Sequence, residues 1–103
     1  MRGLYWEEWD IGAEFESPAR TVTEADIVLF AGLSGDTNPL HIDAESCART
    51  PFRQRIAHGM LVQSIATGLG WQTGIFHGTI QALQEVQVRF EKPEVFFGNG
   101  NVM

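Results

Sequence analysis

Basic residues are scarce in this chain. Its 103 residues hold seven lysines and arginines against thirteen acids, a formal net charge of −6. A nucleic-acid backbone needs a basic footprint, so this deficit argues against DNA or RNA as a partner. Cysteine is nearly absent too. Cys47 stands alone, which excludes an internal disulfide and makes a reducing cytoplasm the expected compartment. No stretch approaches the ~20 apolar residues of a membrane-spanning helix. The opening MRGLYWEEWD carries acids and no long apolar run, so it does not read as a signal peptide. Repeats, low-complexity tracts and linkers are also missing. What remains is one domain over 1–103 with the 44% hydrophobic and 19% charged content of an ordinary globular protein.

The cations that are present gather in one place. Arg49, Arg53 and Arg55 lie just before His58. A solvated loop is the commoner reading of such a run, and a site for an anionic small molecule is the sharper one.

Hydrophobic periodicity divides the rest. Residues 13–22, AEFESPARTV, read as an extended segment that Pro18 confines to a sheet edge. In TEADIVLFAGLSG, Thr23 and Asp26 are spaced as a capping box. Ile27, Phe30, Ala31 and Leu33 follow at helical spacing, and Gly32 and Gly35 offer stops. Asp43 is placed to cap a short helix to about Ala48, and Thr50-Pro51 breaks the pattern. The segment from His58 to about Trp71, HGMLVQSIATGLGW, has no consistently charged face. A helix apolar nearly all round must be enclosed by other structure. From Thr79 to Glu91 the period becomes two: Ile80, Ala82, Val86, Val88 and Phe90 alternate with polar residues. That pattern predicts a long strand with one dry face, with Gln84 marking a bulge and Lys92-Pro93 ending it.

Between the first two helices lies SGDTNPLH, Ser34 to His41. Gly, Asp, Asn and Pro are standard turn residues, and Asp36 and Asn38 can simply bond to the local backbone. The alternative is chemical. A carboxylate and an imidazole on one bend can bind a water and move its proton, if Asp36 and His41 converge. Pro39 disfavours helix at Asn38 and stiffens the bend, and Asn38 can hold either the loop or a substrate. At the start of the enclosed helix, Gly59 leaves an N–H open to approach, as half of an oxyanion hole or only as a close-packing site. His58 reads as a capping or packing residue, His77 as a surface residue in GIFHGT, and Cys47 as a small packing residue.

FAGLSGDTNPLHID followed by RIAHGMLVQSIATGLG resembles the MaoC-like dehydratases, the R-specific enoyl-CoA hydratases of the hot-dog superfamily. The likeness runs from about Phe15 to Phe97. It implies an α+β hot-dog fold, a long central helix wrapped by a curved antiparallel sheet. It also implies reversible hydration of 2-enoyl thioesters to R-3-hydroxyacyl thioesters. On this resemblance Asp36 is the base that activates water, His41 its partner in water binding and proton transfer, and the Gly59 N–H the holder of the thioester oxygen. Asn38 orients the site, and Thr67 matches a small hydroxyl residue near the substrate. No metal or redox cofactor is implied; coenzyme A or an acyl carrier protein is the substrate's handle, and a homodimer or higher homo-oligomer is expected. One departure stands out. Relatives continue past KPEVFFG into further long strands, whereas FFGNGNVM holds turn residues and no following strand. The expectation is therefore a sheet incomplete at the C-terminus, or one completed by a partner. A hot-dog thioesterase and a non-catalytic acyl-thioester-binding subunit are the competing readings.

Overall fold

The computed structural model describes residues 2–92 and 101–102. Their order is a 3-10 turn (Trp6–Glu8), β1 (Arg20–Thr21), α1 (Glu24–Ser34), α2 (Pro39–Ile42), α3 (Ala44–Ala48), α4 (Gly59–Gln72) and β2 (Asn101–Val102).

The helix boundaries follow from local chemistry. Thr23 accepts from the Asp26 N–H through its hydroxyl while the Asp26 carboxylate accepts from the Thr23 N–H at 2.8 Å, closing the capping box that starts α1. At the other end Gly35 adopts φ 80°, the left-handed conformation that glycine reaches without strain, and its N–H closes on the Ala31 carbonyl. Asp43 starts α3 by accepting from the Glu45 and Ser46 N–H groups. His58 is the residue before α4.

One element was hidden in the bend. Pro39 starts a helical turn, α2, which Asn38 caps by accepting from the Leu40 N–H at 3.0 Å. Proline breaks a helix only in its interior; at the first position its missing N–H costs nothing.

The core is small. Val22, Ile27, Ala57, Leu61, Ile65 and Leu69 form it, with Phe30 and Val62 packed against them. Leu61, Ile65 and Leu69 make one stripe along α4, and Ile27 of α1 faces them. The enclosure expected of α4 is only partial: Met60 and Trp71 are exposed. On α1, Leu33 is exposed as well, because the core takes the Ile27–Ala31 face.

The sheet is where expectation and structure part. The only ladder among the described residues joins β1 to β2, antiparallel, pairing Arg20 with Val102 and Thr21 with Asn101. The tail thus supplies a two-residue strand, although the rest of it lies outside the described residues. Pairing in the extended 13–22 segment is confined to Arg20–Thr21. Residues 80–91 pair with no described strand, and the bulge expected at Gln84 has no ladder to interrupt. Both alternating faces are exposed, including Ile80, Val86, Val88 and Phe90. Period-two alternation says which side chains share a face, but a strand exists only where neighbouring backbone satisfies its N–H and C=O groups.

His77 is not the free surface residue its turn suggested. It is partly buried, its ring lies 4.5 Å from that of Trp71, and its carbonyl accepts from the Gly3 N–H at 2.6 Å. The Leu4 N–H joins the Ile75 carbonyl at 2.7 Å, so the N-terminal segment is laid along 75–77.

Two aspartates make the scaffold acid-sensitive. Partial burial pushes the Asp26 carboxyl up, but the Thr23 N–H and hydroxyl and the Arg20 guanidinium outweigh it and hold the group below its ordinary value. The Ser46 N–H and hydroxyl, with the Glu45 N–H, hold Asp43 low in the same way. A depressed carboxyl contributes its stability in full above the unfolded value and loses it as pH falls through the folded one. The melting temperature is therefore expected to hold above the ordinary aspartate range, about pH 4, and to fall below it. In Asp26→Asn that acid limb should be shallower; a limb of unchanged steepness in thermal melts would refute the assignment.

Candidate active site

Three side chains from two elements and the loop between α1 and α2 meet at the start of α4. His41, on α2, is buried, and its Nδ1 lies 2.7 Å from the Ile56 carbonyl. A carbonyl only accepts, so Nδ1 carries the hydrogen and Nε2 faces outward. That Nε2 stands 3.9 Å from Asp36 Oδ2. The second Asp36 oxygen is occupied, since Oδ1 accepts from the Asn38 N–H at 3.3 Å. The Asp36 side chain keeps 53% of its surface exposed, so this carboxylate meets solvent on one side and imidazole on the other.

His58 completes the group. It is 2% exposed, its ring stacks on His41 at 3.7 Å between centroids, and Phe30 meets it edge-on at 5.0 Å. Its Nε2 lies 2.9 Å from the backbone carbonyl of Asp36. Ligand atoms of Asp36, His41 and His58 all fall within 4.8 Å of one another, the spacing of a metal triad. The ring arrangement opposes that use. The imidazole planes are stacked at 3.7 Å and only 26° apart, so a cation in the plane of one ring lies well off the plane of the other. Two of the ring nitrogens also already face backbone carbonyls.

His41 and Gly59 open onto a common cleft of about 680 Å³, lined also by Ile56, Ala57, Val62 and Phe90. Gly59 is the first residue of α4, so its N–H has no acceptor within the helix and sits at the positive end of the dipole. The space over this residue is tight. A Cβ on residue 59 would come within 3.2 Å of the Phe90 ring, which lies across it.

Not every expected residue joins this group. Asn38 is placed as the cap of α2, the short helix that carries His41, and its Oδ1 accepts from the Leu40 N–H. Thr67 lies two turns along α4, exposed, with its hydroxyl donated to the Gln63 carbonyl at 3.0 Å; it does not line the cleft. Of the arginine run, Arg55 pairs with Glu24, and Arg53 sits at φ 60° in a turn. The sequence reading missed the contact of His58 with both site residues and the place of Phe90 over Gly59. His58 was visible only as the residue before a glycine-started helix, and Phe90 only as a dry-face strand residue.

Cys47 underpins α2. Fully buried, its Sγ lies 3.2 Å from the carbonyls of both Pro39 and Leu40.

The MaoC like domain family matches residues 8–101. The (R)-specific enoyl-CoA hydratase of Rhodospirillum rubrum is 51% identical over 57 residues, 55% of this chain and 39% of that protein. A monoamine oxidase regulatory protein from Archaeoglobus superimposes with TM-score 0.83 at 38% identity, over 92% of this chain and 65% of the other. An R-hydratase from Pseudomonas aeruginosa, unliganded, superimposes with TM-score 0.68 at 32% identity, over 93% of this chain and 59% of that one. The chain thus spans well under half of the Rhodospirillum protein and about three-fifths of these solved structures. The fold is the hot-dog of these hydratases, with the helical part and little of the sheet among the described residues.

The burial of Cys47 is testable directly. In native buffer its thiol should react with Ellman's reagent at least about a hundredfold more slowly than in urea, because exposure requires local opening. Equal rates in both would mean that the α2–α3 packing is wrong.

Proposed function

The chain belongs to the MaoC-like domain family, and on that premise we propose that it works on acyl thioesters, adding water across a 2-enoyl double bond to give the R-3-hydroxyacyl thioester, or running the reverse dehydration. The observation that carries this reading is the approach of Asp36 Oδ2 to His41 Nε2, at 3.9 Å, beside a cleft that His41 shares with the Gly59 amide. That spacing is too long for a direct hydrogen bond and short enough for one water oxygen to reach both groups.

Each group then has one task. The Asp36 carboxylate takes a proton from the water as its oxygen bonds to C3 of the enoyl group. His41 Nε2 holds that water and shares in the proton transfer. The C2–C3 π electrons shift toward the thioester, and the carbonyl oxygen gains negative charge beside the Gly59 N–H, where the helix dipole favours it. The proton taken from the water is then returned to C2 by the Asp36–His41 pair, so that one water is consumed, both groups are regenerated and nothing leaves. The chemistry asks for no metal or redox cofactor, and coenzyme A or an acyl carrier protein serves as the handle. The free, buried Cys47 is in keeping with a reducing cytoplasm. No helix among the described residues is long and apolar enough to cross a membrane.

The working unit is proposed to be a homodimer or larger homo-oligomer. Leu29, Leu33, Met60, Trp71 and Leu83 are all exposed, apolar side chains that a second copy of the chain could cover. Sedimentation at micromolar concentration should give a mass of two chains or more; a strictly monomeric species would remove this part of the proposal.

With crotonyl-CoA, double-bond absorbance is expected to fall with no release of free thiol. Asp36→Asn should lower turnover by at least about 100-fold, in the range of a lost general base, with unchanged circular dichroism. Free thiol without loss of the double bond would identify a thioesterase instead, and a fully active Asp36→Asn would end the mechanism.

A further inference from the structure

We infer that His58 is a positioning residue that holds Asp36 and His41 in register by gripping both, one by a hydrogen bond and the other by a ring face. The inference rests on the hydratase reading for its kinetic consequence, but its geometry stands apart from it.

The loop that carries Asp36 is exposed from Gly35 to Asn38. Its other bonds are local. The Asp36 N–H reaches Ser34 Oγ at 3.1 Å, and the Thr37 N–H reaches the Gly35 carbonyl at 3.0 Å. Bonds of that kind shape a turn without fixing where it sits on the body of the protein. The bond from His58 Nε2 to the Asp36 carbonyl does, because it joins this loop to the residue that starts α4 across 22 positions of sequence. A carbonyl oxygen can only accept, so neutral His58 carries its hydrogen on Nε2.

Packing alone does not account for an imidazole here. Among the described residues, Nδ1 of His58 is buried with no hydrogen-bond partner. An orphaned buried polar atom costs about 1–3 kcal/mol, and a phenylalanine would fill much the same space beside Phe30 without that cost. What phenylalanine lacks is the Nε2–H. The ring itself does a second job, since His41 lies flat against it at 3.7 Å. The Ile56 carbonyl sets the hydrogen of His41 on Nδ1, and the His58 face limits the tilt of the His41 plane, so its Nε2 stays aimed at the Asp36 carboxylate. Two substitutions separate the two jobs: His58→Phe keeps the ring face and loses the donor, whereas His58→Gln keeps an N–H donor of similar reach and loses the ring.

The experiment compares the wild-type chain with both variants, using circular dichroism, kcat and KM on crotonyl-CoA, and ring-nitrogen NMR of histidine-labelled protein. In the wild type the His58 hydrogen should be found on Nε2 and that of His41 on Nδ1. His58→Phe should fold, lose about ten- to hundredfold in kcat, the scale of a small misplacement of catalytic groups, and change KM less than twofold. His58→Gln should recover part of that loss. Wild-type kcat in His58→Phe, or a His58→Gln no better than His58→Phe, would overturn the inference. Should His58→Phe fail to fold, or the wild type show no hydratase turnover, the tautomer decides: hydrogen on Nε2 supports the grip on Asp36, and hydrogen on Nδ1 refutes it. Absence of turnover with Nε2–H intact would count against the hydratase reading alone.

Discussion

Two imidazoles, stacked in a nearly dry place and each engaged with a backbone carbonyl, hold the rest of the structure together at its functional end. His41 reaches the Ile56 carbonyl on the strand-like approach to α4, and His58 reaches the Asp36 carbonyl in the loop after α1. The stack therefore ties three separate stretches of chain at one point. Hydrogen bonds in such a site are strong because little water competes for them, and they are costly to leave unmade for the same reason. Geometry at the Asp36 carboxylate is a product of that knot more than of the exposed loop on which it sits.

What the sequence made legible was mostly local. Thr23 with Asp26, Gly35 at the end of α1 and Asp43 before α3 each act within a few residues, so their residue types carry the answer. The α2 turn escaped because Pro39 was read only for its effect on Asn38 and the stiffness of the bend, when its position also starts a helical turn. Asp36, Asn38 and His41 were visible as a motif, but only the coordinates separate the carboxylate and imidazole that face each other from the asparagine that caps. Thr67 shows the opposite limit: a residue matched by resemblance alone here bonds its hydroxyl to the Gln63 carbonyl on its own helix. His58 was underrated since a histidine beside a helix start looks the same whether it packs or grips.

The long-range part was the least legible. Residues 80–91 have the alternation of a half-buried strand, and among the described residues they have neither a ladder nor a covered face. Alternation encodes a demand for burial, and only a neighbouring strand and a packed layer can meet it. The same demand shows in the dimensions. The radius of gyration is 16.3 Å, against about 13 Å for a compact chain of this length. Among the described residues, a core of six buried side chains around one stripe of α4 leaves the opposite side of that helix open to solvent.

Phe90 joins these two themes. Its ring lies over Gly59, while its backbone belongs to the segment that pairs with no described strand. Whatever orders that segment thereby also sets how open the cleft beside Gly59 is. Thermodynamic linkage makes the traffic two-way: an occupant of the cleft that favours one placement of the ring must strengthen or weaken the pairing of the segment by the same factor. Assembly and occupancy would then share a single free energy, carried by one aromatic side chain.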